Sequence, residues 1–343
     1  MAKATTTLHR GRLKPQISPL VGLILGLIVL LISLVYSVTL GAAEIPLVKI
    51  LVSFVAFDGS YDHLVIQTVR LPRSLIAVLV GSALAVAGAL MQGLTRNPLA
   101  DPGILGIESG AALAVVTTIF VFGSPSSSVL TVVAFLGAGT TATLVYCLGS
   151  LGRGGATPLN LTIAGAALTA LISSFTTAIL IVSQRTLNEI RFWLAGSLYG
   201  RDANILLQAL PFVIIGLVVA FALGRQITTM SLGEDVAKGL GQQTAWIKII
   251  TAISIVLLAG SSVSLAGPIG FIGLVVPHIV RFFIKTDYRW ILPYSAIVGA
   301  TLVLIADIAA RLLLKPQELP VGVMTALVGA PFFVYLAKSK VKK

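Results

Sequence analysis

Residues 70–106 read RLPRSLIAVLVGSALAVAGALMQGLTRNPLADPGILG. The 22 residues between Arg73 and Arg96 carry no charge. At about 1.5 Å per helical residue they cross the roughly 30 Å hydrocarbon core of a bilayer. Behind Arg96, Pro98, Pro102 and Gly103 break helical continuity, and Asn97 and Asp101 can cap the next helix. A membrane span leading into a rigid, kinked turn is the pattern this stretch sets.

Outward from it the pattern recurs. Apolar runs fall at 17–40, 103–123, 128–151, 158–182, 204–224, 246–266, 268–284, 291–310 and 320–337, making ten with 74–94. The run at 17–40 is longer than the roughly 7–15 residues of a signal-peptide core, so it reads as a retained helix. Of the 343 residues 57% are hydrophobic and only 10% charged, against roughly 25% charged in a soluble domain. So few charges cannot cover a water-exposed globule, which excludes a soluble enzyme and a disordered chain. The expected fold is an all-α polytopic membrane protein of ten transmembrane helices.

The net charge of +12 would suggest nucleic acid in a soluble protein. Here the positive charge lies in connections between apolar runs, so the partner is membrane lipid and not nucleic acid. With the N-terminus inside, 16 Lys and Arg fall on the cytoplasmic side and 8 outside, which places both termini in the cytoplasm. The chain then divides into a basic cytoplasmic N-terminus (1–16), a transmembrane domain (17–337) and a basic cytoplasmic C-terminus (338–343). Three connections are long: 41–73 and 183–203 outside, and 225–245 inside. GSALAVAG at 81–88 echoes GSSVSLAG at 260–267. An inverted repeat and chance similarity among small-residue helices account for this equally well.

Several kinds of chemistry have no residues to carry them. No G-x-x-x-x-G-K-[ST] phosphate loop occurs. His9, His63 and His278 are scattered, and Cys147 is the single cysteine, so no metal site or catalytic constellation is visible. An ion-coupled secondary transporter, the alternative function, needs ionisable groups deep in the membrane. Asp307, the deepest acid, is the one candidate for that role, but its position four residues before Arg311 favours reading it as that arginine's helical partner.

Three constellations remain. Arg70, Arg73 and Arg311 sit at outer helix ends, against the positive-inside bias and, for the RLPR pair at a helix start, against the helix dipole, and ask for carboxylates, which guanidinium groups grip bidentately. MSLGEDVAKGLG at 230–241 places Leu232, Val236 and Leu240 on one helical stripe with Glu234, Asp235 and Lys238 off it. Such a helix suits a groove on a partner. GPIGFIGLVVPHIVR at 267–281 packs three glycines and two prolines into a short apolar run, as a broken helix lining a pathway does.

These stretches, in this order, resemble the permease subunits of the iron-siderophore, haem and cobalamin ATP-binding-cassette importers. The resemblance rests on RLPR with G-x-x-L-A-x-x-G-x-x-M-Q, NPLA-x-P-x-x-LG, LGED-x-A-x-x-LG, GPIGFIGL-x-x-PH-x-x-R and AD-x-x-A-R…ELP-x-G, and covers about residues 20–337. It implies the type II importer permease fold in a bacterial inner membrane, with no enzymatic activity of its own. It also implies a homo- or heterodimer with the path at the subunit interface. Two separate ATPase subunits, which bind ATP and Mg, would dock on the 230–241 helices. An extracytoplasmic binding protein would dock on Arg70, Arg73 and Arg311 and deliver a ferric siderophore or related chelate. Gating positions map to Asn97, Leu99 and Thr157, although Pro158 departs from the small hydroxyl residue often found there.

Overall fold

The computed structural model describes residues 18–41, 45–151, 157–284, 286–314 and 317–341. The expected N-terminal segment 1–16 therefore lies outside the described residues. Among those described, helices are the regular structure and no strand occurs. They are α1 (Pro19–Thr39), α2 (Leu47–Val55), α3 (Tyr61–Val65), α4 (Leu71–Thr95), α5 (Ile107–Phe122), α6 (Ser127–Ser150), α7 (Pro158–Val182) and α8 (Gln184–Leu194). They continue as α9 (Ala203–Ala222), α10 (Gly224–Ser231), α11 (Glu234–Gly239), α12 (Thr244–Ala266), α13 (Ile272–Phe283), α14 (Tyr288–Leu312) and α15 (Val321–Val341).

Among the described residues, seven helical stretches are long and apolar enough to cross a membrane, and three shorter apolar helices, Ile107–Phe122, Ile272–Phe283 and Val321–Val334, bring the apolar elements to the ten expected. The short ones have identifiable causes. A 3-10 turn at Pro102–Leu105 and left-handed Gly106 (φ 68°) occupy the first part of the run at 103–123. Left-handed Gly267 (φ 73°) and Phe271 (φ 71°) around Pro268 do the same for 268–284.

One sequence expectation changes. The connection 41–73 is largely helical, holding α2, α3 and a π turn at Ile66–Arg70 that runs into α4. Ile50 and Ile66 are buried there in a small satellite core, which gives these short helices an apolar face to pack.

The interior is organised on α4, whose middle is buried from Val80 to Gly93 and which packs against α12, α13 and α14. Small residues let these backbones touch: a side chain on Gly88 would collide with the Gly273 backbone, and one on Gly81 with Gly299. Gly22 and Gly26 seat α1 in the same way on Tyr294 and Ile297 of α14. By contrast α1, α6, α7 and α9 expose Leu, Ile, Val and Phe along their length. In water that apolar surface would be prohibitive; in lipid it is ordinary.

Candidate functional sites at the two ends of the bundle

The N-terminus of α4 and the C-termini of α1 and α14 converge at one end, where all three singled-out arginines meet. Arg70, Arg73 and Arg311 are only 7%, 7% and 5% exposed. Arg73 donates from Nε (3.0 Å) and Nη2 (2.8 Å) to Asp307 Oδ1, and from Nη1 to Glu318 Oε2 at 2.6 Å. Arg311 Nη2 lies 3.1 Å from Asp307 Oδ2, so the expected i,i+4 pair exists and shares its carboxylate with Arg73. Asp307 itself is fully buried.

The remaining donors go to the end of α1. Arg311 Nη1 donates to the carbonyls of Ser37 (2.9 Å) and Leu40 (2.8 Å), and Arg70 Nη1 to those of Val38 (2.9 Å) and Thr39 (2.7 Å). A helix C-terminus presents unpaired carbonyls and partial negative charge. The dipole cost of placing Arg70 and Arg73 at the start of α4 is thus offset by the end of α1 and by two acids, whereas Arg311 lies in the last turn of α14, where the dipole favours a cation. Each guanidinium has its partners inside the chain. Sequence reasoning paired Asp307 with Arg311 but missed Glu318, Ser37 and Ser74, whose hydroxyls lie 2.7 Å apart in the case of the two serines; only the charge of Glu318 gave any hint.

At the opposite end lie the C-terminus of α4, the N-termini of α12 and α14, and the pair α10–α11. The stretch 230–241 is not one helix. Left-handed Gly233 (φ 134°) separates α10 from α11, so Leu232 ends α10, Val236 lies on α11 and Leu240 ends it. Glycine's missing Cβ permits that φ, which is why the expected continuous stripe is interrupted. The three apolar side chains still project outward, 66%, 48% and 67% exposed. Beneath them Glu234 accepts from Lys248 Nζ at 2.8 Å and pairs with Lys238 at 3.3 Å. These ammonium groups, Lys248 first, hold its carboxyl down to about 2. Asp235 comes directly after Glu234 in the first turn of α11, where acids suit the helix dipole.

The turn at 97–101 is built by its own side chains. Asn97 Oδ1 accepts from Leu99 N at 3.0 Å, and Asp101 Oδ1 from Gly103 N at 2.8 Å. Asn97 therefore closes a local turn, and Asp101 alone caps the 3-10 turn at Pro102–Leu105. Thr157 caps α7, accepting from Asn160 N at 3.2 Å, with Pro158 in the first turn where its absent N–H costs nothing. A cavity of about 280 Å³ opens between these parts, lined by Arg96, Pro158, Glu234 and Lys248 with Met91 and Tyr146. Immediate neighbours of Asn97 and Thr157 thus share one space with α11, though the two residues lie 60 apart in sequence.

α7 is the least buried of the long helices. Its exposed side includes Thr162, Ala166, Ala170, Ser173, Ser174 and Thr177. These small and hydroxyl-bearing residues, set among the exposed Leu159, Ile163, Leu171 and Phe175, distinguish α7 from α1 and α9.

The model of the FecCD transport family matches residues 29–339. The chain belongs to that family. "Probable siderophore transport system permease protein YfiZ" of Bacillus subtilis (strain 168) is 50% identical over 290 residues, 84% of this chain and 87% of that one. "Iron(3+)-hydroxamate import system permease protein FhuB" of the same organism is 45% identical over 88% of this chain and 79% of its own. Among solved structures, an inward-facing conformation of a metal-chelate type ABC transporter superposes with a TM-score of 0.82 at 31% identity, covering 92% of this chain and 98% of that one. This FecCD protein is a multi-pass permease of the ATP-binding-cassette importer type, and an ion-coupled carrier is not favoured.

Proposed function

We propose that this FecCD permease carries a ferric chelate across a bacterial inner membrane and is driven by a separate ATPase that seats on α11. The observation that carries the reading is the exposed triplet Leu232, Val236 and Leu240, on α11 and at the turns flanking it, anchored by the Glu234–Lys248 pair. An apolar triplet facing water at the polar end of a bundle suits a partner's groove better than lipid headgroups, with two acids beside one lysine. ATP and Mg belong to that partner, and this chain performs no chemistry on its cargo.

Two copies, alike or different, would pair through the small and hydroxyl face of α7, which gives a path of low stickiness to a bulky polar cargo. Asn97, Leu99 and Thr157 would form its cytoplasmic gate, and both chain termini would lie in the cytoplasm. An extracytoplasmic binding protein would dock at the arginine end. There Arg70, Arg73 and Arg311 would shape the docking surface by locking α1, α4 and α14 together, and would reach a partner's carboxylates only by exchanging their present partners. The relatives' names point to siderophore, hydroxamate and citrate complexes of iron as the cargo class.

The test is co-purification from mild detergent and then radioiron uptake in proteoliposomes, with iron supplied as citrate, hydroxamate and enterobactin chelates. The expected result is two permease chains with two ATPase subunits, ATP-dependent uptake of at least one chelate, and its loss in Leu232→Asp. Uptake that survives ATP depletion and collapses with the proton gradient would overturn the reading.

A further inference from the structure

α13 contains Pro277 in its interior. Proline has no N–H, so the carbonyl of Gly273, four residues earlier, loses its helical donor. In a buried helix such an acceptor needs another partner. Gln92 of α4 supplies it: its Nε2 donates to Gly273 O at 3.1 Å and to Leu274 O at 3.4 Å. Gln92 is 2% exposed, so its other amide atom must be satisfied as well. Arg281, on the far side of the proline, donates from Nη1 to Gln92 Oε1 at 2.5 Å. One amide thus bridges the turns of the helix on either side of the proline.

The line of bonds continues to α10. Arg281 Nη2 donates to Tyr288 Oη at 3.0 Å, and Tyr288 N donates to Thr228 Oγ1 at 2.9 Å. Thr228 lies on α10, which leads through Gly233 into α11. Packing along this line leaves little slack. A side chain on Gly93 would strike Ile227 and the Tyr288 ring, and one on Gly224 would press on the Arg289 backbone.

We propose that Gln92 and Arg281 are positioning residues for transport, holding the turns of α13 around Pro277 in register with α10 and α11. Movement of α11 against its partner then changes the angle of α13, and with it the corner 267–271 and the Gly88–Gly273 contact. The inference rests on the reading of α11 as the ATPase-coupling helix.

The experiment uses the complete complex in proteoliposomes, in a Cys147→Ala background, with spin labels at the exposed positions Phe282 and Trp246. It reads the inter-label distance with and without trapped ATP, together with the ATP hydrolysis rate. Three variants divide the line. Gln92→Glu keeps the Arg281 contact but turns a carboxylate toward two carbonyls. Gln92→Leu removes both contacts. Arg281→Lys keeps the charge but cannot reach Gln92 and Tyr288 together.

The expected result is an ATP-dependent distance shift in the parent, absent in Gln92→Leu and Gln92→Glu and partial in Arg281→Lys. ATP hydrolysis should stay within about twofold of the parent in all three. A normal shift in Gln92→Glu overturns the proposal, and that variant decides the matter if Gln92→Leu does not assemble. Leu232→Asp is the control on the underlying reading. If it leaves both shift and hydrolysis unchanged, the coupling role of α11 falls and the inference with it; if it abolishes the shift while Gln92→Glu does not, this inference alone falls.

Discussion

The arginine end and the α11 end use the same ingredients, a carboxylate with two basic side chains, in opposite ways. Asp307 is fully buried between Arg73 and Arg311, and those arginines also hold the last carbonyls of α1. Glu234 stands partly in solvent between Lys238 and Lys248, and the apolar side chains beside it are left largely exposed. Desolvated charges hold each other because neither can return to water, so removing one strands the rest. Half-exposed charges are individually weak and can be rearranged by a partner. The first arrangement clamps three helices; the second presents a surface.

The largest expected effect lies in the buried cluster. Asp307→Asn leaves two guanidiniums with Glu318 as their remaining nearby acid and should cost about 3–5 kcal/mol, read as a fall in thermal unfolding temperature in detergent. A change below about 1 kcal/mol would mean that the arginines find water or lipid phosphate, erasing the contrast between the two ends.

Next comes helix contact without charge. Gly88→Val would drive a side chain into the Gly273 backbone and should cost about 1–3 kcal/mol, measured in the same assay. Retained stability would show that α4 and α13 can separate freely.

Glu234→Gln should cost less than about 1 kcal/mol in stability while reducing ATP-dependent uptake. The carboxyl is held down to about 2, so its contribution is present above the unfolded value near 4.3 and is lost as pH falls through about 2. Hydrogen exchange across 234–241, corrected for intrinsic rates, should therefore be the same at pH 7 and pH 4.5. Loosening at pH 4.5 would show that the lysines do not hold this carboxylate.

The smallest effect belongs to Arg185→Ala. Arg185 pairs with Glu189 one turn away at 3.1 Å and its side chain is well exposed, so a double-mutant cycle with Glu189→Ala should show the weakest coupling of the set.

The apolar runs predicted all ten membrane elements because hydrocarbon tolerates few charges and a span needs a minimum length. The Gly/Pro punctuation at 97–106 and 267–281 likewise marked where two of them would be cut short. The helices within 41–73 escaped notice because their apolar residues are few and their stability comes from Ile50 and Ile66 meeting in space. Gln92 had no local signal either: its role exists only because Pro277, 185 residues later, removes a donor from a helix that lies beside it.

By itself, then, the amino-acid order determined the membrane class, the number of apolar helices, the positions of the breaks and the apolar residues Leu232, Val236 and Leu240 that end up exposed. All of these depend on hydropathy, length and backbone chemistry within a short window. Only the tertiary structure decided which charges are clamps and which form a surface, that Gly233 divides the segment 230–241, and that Gln92 bridges the two sides of Pro277. Burial and hydrogen-bond partnership are properties of neighbours in space, and helices separated by hundreds of residues supply those neighbours.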